Sequence, residues 1–161
     1  MPRPLQTLRL IEKQSRTFKI PSVTLVSLKD NPYLVLVSCI LSLRTKDETT
    51  ISASRRLFKI ADSPRKMLKI ARRKLEQTIY PVGFYRNKAR VILEASKKIL
   101  SDFSGKVPDN LEELLEIRGV GRKTANLVLG LGYHIPAICV DTHVHRISNR
   151  LGWVNTREPQ E

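Results

Sequence analysis

An all-α fold is what this sequence predicts, and three observations predict it. Apolar residues recur at three- and four-residue spacings, the period-two alternation of β-branched residues expected of strands is nearly absent, and short turns carrying Gly, Pro or a capping residue separate the segments. At 161 residues with 41% hydrophobic content, the chain has enough apolar material for the core of one ordinary domain.

The segment from about Pro4 to Thr17 reads as a basic first helix, followed by a loop that ends near Asn31 and Pro32. The run PYLVLVSCILSL is apolar on nearly every side, so it is expected as the central buried helix. A polar break at Arg44, Thr45 and Lys46 precedes an amphipathic helix from about Asp47 to Ile60 that carries Arg55, Arg56 and Lys59. Ser63 and Pro64 supply an N-cap and a proline at the first helical position for the short helix PRKMLKI. The next helix holds Leu75 and Ile79 and stops at Pro81, and YPVGFYRNKARVI turns at Gly83 into a long helix ending near Phe103. After a loop from Gly105 to Pro108, Asp109 or Asn110 caps LEELLEI, and a helix from about Gly121 to Gly132 follows. HIPAICVDTH then places Asp141 at the N-cap of THVHRISNRLG, and REPQE reads as the start of another helix. The total is eight or nine short helices.

Lys and Arg number 29 against 15 Asp and Glu, a net charge of +14, and between Arg55 and Lys98 the basic residues are opposed only by Asp62, Glu76 and Glu94. A sequence pI near 10.2 in a folded domain points to a polyanionic partner, nucleic acid before an anionic membrane. No apolar run approaches the roughly 20 residues of a membrane span, and Met1 is not followed by a signal-type apolar core. The two cysteines, Cys39 and Cys139, lie in the apolar runs VSCIL and AICVD and read as small buried residues of a reducing compartment. An intracellular location without a membrane is expected: cytoplasm or nucleoid, or the nucleus in a eukaryote.

The stretch EIRGVGRKTANLV, from Glu116 to Val128, is the most informative. Glycines at 119 and 121 allow positive φ and a close backbone approach. Amides at the start of the following helix point outward with its partial positive charge, a site suited to phosphate. Without a ligand the same pattern is a tight helical corner. The basic Arg122 and Lys123 that follow the turn favour the anion site.

LEELLEIRGVGRKTANLVL, followed by AICVDTHVHRISNRLG, resembles the helix-hairpin-helix and Asp-bearing loop of the DNA glycosylase superfamily named for those elements, nearest its endonuclease III branch. LVSCILSLRTKDETTISASRRLFKIADSPRKML and YPVGFYRNKARVILEASKKIL match it as well, so that the similarity covers about Asn31 to Trp153. The resemblance implies a helical barrel domain with an incomplete second lobe. Residues 1–30 would be an N-terminal helix and linker belonging to that lobe, residues 31–140 a six-helix barrel with the hairpin at about 111–132, and residues 141–161 the Asp-bearing helix and a truncated start of the C-terminal lobe.

The activity implied is that of a base-excision-repair glycosylase with abasic-site lyase action on oxidised pyrimidines in duplex DNA, acting as a monomer. Lys123 stands at the position of the nucleophile and Asp141, eighteen residues on, at that of the catalytic carboxylate. Beside Arg122 in the first turn of a helix, a lysine is disfavoured as a cation, which makes its neutral amine available for attack at C1′. Asp141 would position or deprotonate that lysine and stabilise the cationic sugar; as an N-cap alone it would be worth ~1 kcal/mol. Gly119, Val120, Gly121, Arg122 and Lys88 are the expected DNA contacts, with Arg44 and Phe84 filling the gap left by an extruded base. Phe84 reads equally well as a core residue.

Arg118 departs from the proline usual before the first glycine and adds a phosphate contact. His143 is read as packing behind Asp141, His145 as a surface residue, and neither has a partner at zinc-ligand spacing. Relatives carry a four-cysteine loop for a [4Fe-4S] cluster; Cys39 and Cys139 do not match it, so no cofactor is expected in this chain. The alternatives to an enzyme are a non-catalytic helix-hairpin-helix DNA-binding module and an inactive fragment.

Overall fold

The computed structural model describes residues 3–28, 30–159 and 161; Met1, Pro2 and Lys29 of the expected N-terminal segment and Gln160 of the expected terminal helix lie outside the described residues. Among the described residues there are ten α-helices, one π-helical turn and no strand. The chain divides into two compact units, Pro21–Ile138 and a smaller one joining Met1–Ile20 to Cys139–Glu161.

In the larger unit the central element is α3 (Pro32–Ser42; α1 and α2 precede it), with every residue from Tyr33 to Leu41 buried. Its start is set by Asn31, whose side chain accepts from the amides of Tyr33 and Leu34, and by Pro32 in the first turn. A helix apolar all round is stable in water only when covered on every side. That cover comes from α2 (Ser22–Ser27), α4 (Asp47–Phe58), α7 (Tyr85–Asp102), α9 (Arg122–Leu127) and the π-helical turn Val128–Gly132. Full burial of Leu36, Ile40 and Leu41 stabilises the fold by ~1.5–3 kcal/mol each before entropy costs.

The covering helices present the faces their spacing dictates. Thr50, Ala53, Ser54 and Leu57 of α4 turn inward, and Ser38 and Ser54 approach to 3.2 Å where α3 and α4 meet. The short α5 (Pro64–Met67) begins as expected, with the Ser63 hydroxyl accepting from the Lys66 amide. Leu75 and Ile79 of α6 (Arg72–Ile79) are fully buried, and Ala89, Ile92, Ser96 and Ile99 form the buried stripe of α7. The Ser96 hydroxyl donates to the Ile92 carbonyl, which leaves its oxygen to accept from the Tyr33 phenol at 2.7 Å. Burial raises the Tyr33 pKa above the ordinary phenol range.

Two features go beyond the sequence reading. The loop expected before Asn31 contains α2, whose six residues are too few to show a helical period and which is stable because Ser22, Val23 and Val26 pack inward. Ser22 also donates to an Asp47 carboxylate oxygen at 2.8 Å. Arg56 is exposed as expected, yet its guanidinium does more than face solvent: it donates to the Thr78 carbonyl at 2.9 Å and to the Tyr80 carbonyl, closing the C-terminal end of α6.

The smaller unit holds α1 (Pro4–Ser15) and α10 (Thr142–Arg150), neither with a buried residue. Beyond α10 the chain is tied down by Thr156: its amide donates to Asn149 at 3.0 Å, and His145 Nε2 lies 3.1 Å from its hydroxyl. Arg157–Pro159 form bends and a turn rather than the helix expected of REPQE.

Candidate functional site

The hairpin is built by burying its ends and leaving its tip outside. Asn110, not Asp109, caps α8 (Leu111–Leu115), accepting from the Glu113 amide at 2.9 Å. Ile117 and Val120 plug the turn into the core at 1% and 7% exposure, so Val120 can meet a ligand only through its backbone. Between them Gly119 has φ +84°, and a Cβ there would lie 2.5 Å from Val91 Cγ1. Gly121 differs from the expectation: its φ is −101°, ordinary extended backbone, and a Cβ on it would meet nothing within 4 Å. The first glycine is required by the fold, while the space over the second is open.

Arg122 and Lys123 stand exposed on the first turn of α9. Asn126, one turn on, donates to the Ile138 carbonyl at 2.8 Å and ties α9 to the extended segment after Tyr133. Arg118, expected to reach phosphate, stays exposed and lies 3.2 Å from the Glu94 carboxylate, a surface ion pair between the hairpin and α7.

Arg44 and Phe84 come together. Both are exposed, both have left-handed backbone (φ 51° and 56°), and the Arg44 guanidinium carbon lies 6.0 Å from the Phe84 ring centroid. Phe84 is 64% exposed, which removes the core alternative. Each left-handed non-glycine residue costs of order 1–3 kcal/mol, which the surrounding contacts must offset. The two flank a cleft of about 420 Å³ whose lining includes Leu43, Asn87, Lys88, Val91 and Gly119.

Lys88 corrects the sequence reading. It is 5% exposed and donates to the carbonyls of Leu41 (2.8 Å) and Leu43 and to the Thr45 hydroxyl (3.0 Å), so its ammonium is turned into the fold rather than toward DNA. Burial lowers its pKa from the ordinary 10.5 to about 8. Between those two values the unfolded chain binds more protons than the native one, so the Lys88 contribution to stability rises with pH across that window. The melting temperature of wild type minus that of Lys88→Met is therefore expected to increase from about pH 7 to about pH 9.5. A difference that falls over that range would mean that the native state holds the ammonium form more tightly than water does.

Asp141 lies in the smaller unit and caps α10, its carboxylate accepting from the amides of His143 (2.9 Å) and Val144 (2.8 Å). The His143 amide donates to it. The exposed imidazole is 3.3 Å from Arg146 and does not pack behind the carboxylate, because position 143 faces outward in the first turn. His145, expected at the surface, is half-buried against Thr156. Thr45, Glu94, Asn126 and Thr156 carried no sequence signal, since each acts on a partner remote in the chain or on irregular backbone.

A [4Fe-4S] cluster needs four thiolates. The chain has two, Cys39 buried on α3 and Cys139 in the smaller unit. Among the described residues, no group of three or more His, Cys, Asp or Glu could hold a metal ion. The residues present do not fit the cluster. Nor, among the described residues, is any helix long and apolar enough to cross a membrane.

The profile of the HhH-GPD superfamily base excision DNA repair proteins matches residues 37–161. Endonuclease III of Thermotoga maritima is 52% identical over 131 residues, 81% of this chain and 62% of that protein. Endonuclease III of Bacillus subtilis is 42% identical over 122 residues, 76% of this chain and 56% of its own length. The chain thus spans about three-fifths of these relatives. A non-covalent endonuclease III–DNA complex superposes with a TM-score of 0.82 at 34% identity, covering 99% of this chain and 74% of that one. A trapped endonuclease III–DNA covalent intermediate with an estranged adenine gives 0.80 at 32% identity, covering 100% and 75%.

Proposed function

This chain belongs to the HhH-GPD superfamily of base excision DNA repair proteins, and on that premise we propose that it is a DNA glycosylase with abasic-site lyase activity on oxidised pyrimidines in duplex DNA. The observation that carries this reading is the hairpin: Gly119 turned left-handed, open space over Gly121, and Lys123 exposed on the turn that follows. The backbone of residues 119–121 receives the phosphodiester, and Arg122 adds charge to it.

Lys123 supplies the nucleophile. Its neutral amine attacks C1′ and the damaged base departs with the electrons of the glycosidic bond; the nitrogen then loses one proton, and the sugar ring opens as the C1′–O4′ electrons go to O4′, which takes up a proton, leaving an iminium between C1′ and Nζ that keeps one N–H. Loss of a C2′ proton leaves an enamine, with the C2′–H electrons in C1′=C2′ and the iminium pair on Nζ; return of the nitrogen pair re-forms the iminium, moves the double bond to C2′=C3′ and expels the 3′ phosphate with the C3′–O electrons. Asp141 deprotonates or positions the lysine and stabilises positive charge at the sugar; the two amides it accepts from hold its carboxylate in one orientation.

Borohydride reduces the iminium to a stable amine and so tests the reading directly. Wild type is expected to form a covalent adduct on a duplex with one abasic site. Asp141→Asn keeps a capping side chain, so its melting temperature is expected to hold within about 2 °C while adduct formation falls at least about tenfold. An Asn variant as active as wild type would reduce Asp141 to a cap. Binding by wild type without any adduct would favour a non-catalytic DNA-binding module.

A further inference from the structure

Among the described residues, Lys88 is the buried charged group that this chemistry leaves unused. Its side chain starts on α7 and ends beneath the loop that follows α3. There it meets the carbonyls of Leu41 and Leu43 and the hydroxyl of Thr45. The Thr45 oxygen accepts a second bond, from the Gly83 amide at 3.1 Å, and its own proton is directed at the Leu43 carbonyl. A Cβ on Gly83 would stand 2.7 Å from the Arg44 carbonyl oxygen, so loop and turn are in backbone contact.

Arg44 and Phe84, each in left-handed backbone, project from the two sides of that contact. We propose that Lys88 is a positioning residue for base extrusion: one buried ammonium group fixes the Arg44 loop against the Phe84 turn, so that the two exposed side chains enter the duplex as a single wedge of set width. A lysine whose only task was stability would be matched or bettered by an apolar side chain of the same length, since a buried charge brings a desolvation cost. Here the polar bracket sits under two strained residues on the rim of one cleft. This proposal rests on the glycosylase reading, which supplies the need for a wedge.

The test separates wedge insertion from chemistry. 2-Aminopurine opposite a tetrahydrofuran abasic analogue brightens when it loses its stacking neighbours, with no bond made or broken. Saturating wild type is expected to raise its fluorescence. Lys88→Met and the near-isosteric Thr45→Val are expected to cut that rise at least about threefold while anisotropy shows affinity within about threefold of wild type. Borohydride trapping should fall about tenfold for both variants on a paired lesion, yet stay within about threefold on the same lesion in a bulge, where unstacking is already complete.

Equal losses on paired and bulged substrates, or an undiminished fluorescence rise in Lys88→Met, would overturn the proposal. Should Lys88→Met not melt cooperatively, Thr45→Val decides by the same criteria. Wild type that brightens the probe but forms no adduct would sink the glycosylase reading and leave the bracket to be judged by fluorescence. Wild type that does not brighten it would overturn the bracket itself.

Discussion

Lys123→Ala is expected to abolish the borohydride-trapped adduct on an abasic duplex, a loss of at least about a thousandfold, while equilibrium binding weakens no more than about threefold. The asymmetry follows from the two roles a lysine in this place can have. As one phosphate contact among several, its loss would weaken binding, lower the slope of log K against log salt by about one, and leave the rate of chemistry on bound DNA nearly unchanged. As the nucleophile, its loss removes the atom that forms the bond, and no neighbour replaces it: the Arg122 guanidinium has its nitrogen electrons delocalised and is a poor nucleophile, and Thr124 is buried. Trapping and salt-dependent anisotropy on the same protein read the two roles separately. A reduced slope with trapping intact would assign Lys123 to phosphate alone.

The second large effect concerns stability. Gly119→Ala is expected to destabilise the larger unit by about 2–4 kcal/mol, and Gly121→Ala by no more than about 0.5 kcal/mol. At position 119 a Cβ meets Val91 Cγ1 at 2.5 Å in a backbone with φ +84°, so strain and overpacking add. At position 121 the backbone is extended and the space empty. The expected fall in melting temperature is roughly 5–15 °C for Gly119→Ala and under about 2 °C for Gly121→Ala. Val91→Ala in the Gly119→Ala background should recover part of the loss, because it removes the clashing methyl but not the strain. Affinity for DNA should fall in both variants, in the first because the hairpin is distorted and in the second because the new methyl occupies the approach to its backbone. Gly121→Ala binding as tightly as wild type would show that the phosphodiester does not come that close.

These variants also mark how far local sequence carries. The buried α3 was legible because PYLVLVSCILSL leaves no polar face, and the Ser63 and Asp141 caps because each acts on an amide two or three residues ahead; at α8 the sequence left Asp109 and Asn110 open, and the structure chose Asn110. The GVGRKTAN motif marked the hairpin, and Lys123 is exposed on the helix that follows it. It did not separate the tasks of its two glycines, since what a Cβ at 119 would strike belongs to Val91 on another helix. α2 escaped because six residues hold less than two helical turns and its stability is tertiary. Arg56, Lys88 and Arg118 were all read as charge for a polyanion; Arg56 and Arg118 stay exposed while also bonding within the protein, and only Lys88 is buried.

By itself, then, the sequence determined the helical class, the order of most helices, the caps of a few, the family and the position of the candidate nucleophile, all of which rest on patterns a few residues long. Only the tertiary structure decided which basic side chains face outward, which glycine the fold requires, and that Arg44 and Phe84 share one bracket. The reason is physical: a lysine's partners at Leu41 and Thr45 lie more than forty residues from it in the chain, and burial, which turns a surface charge into an internal staple, belongs to the packed state alone.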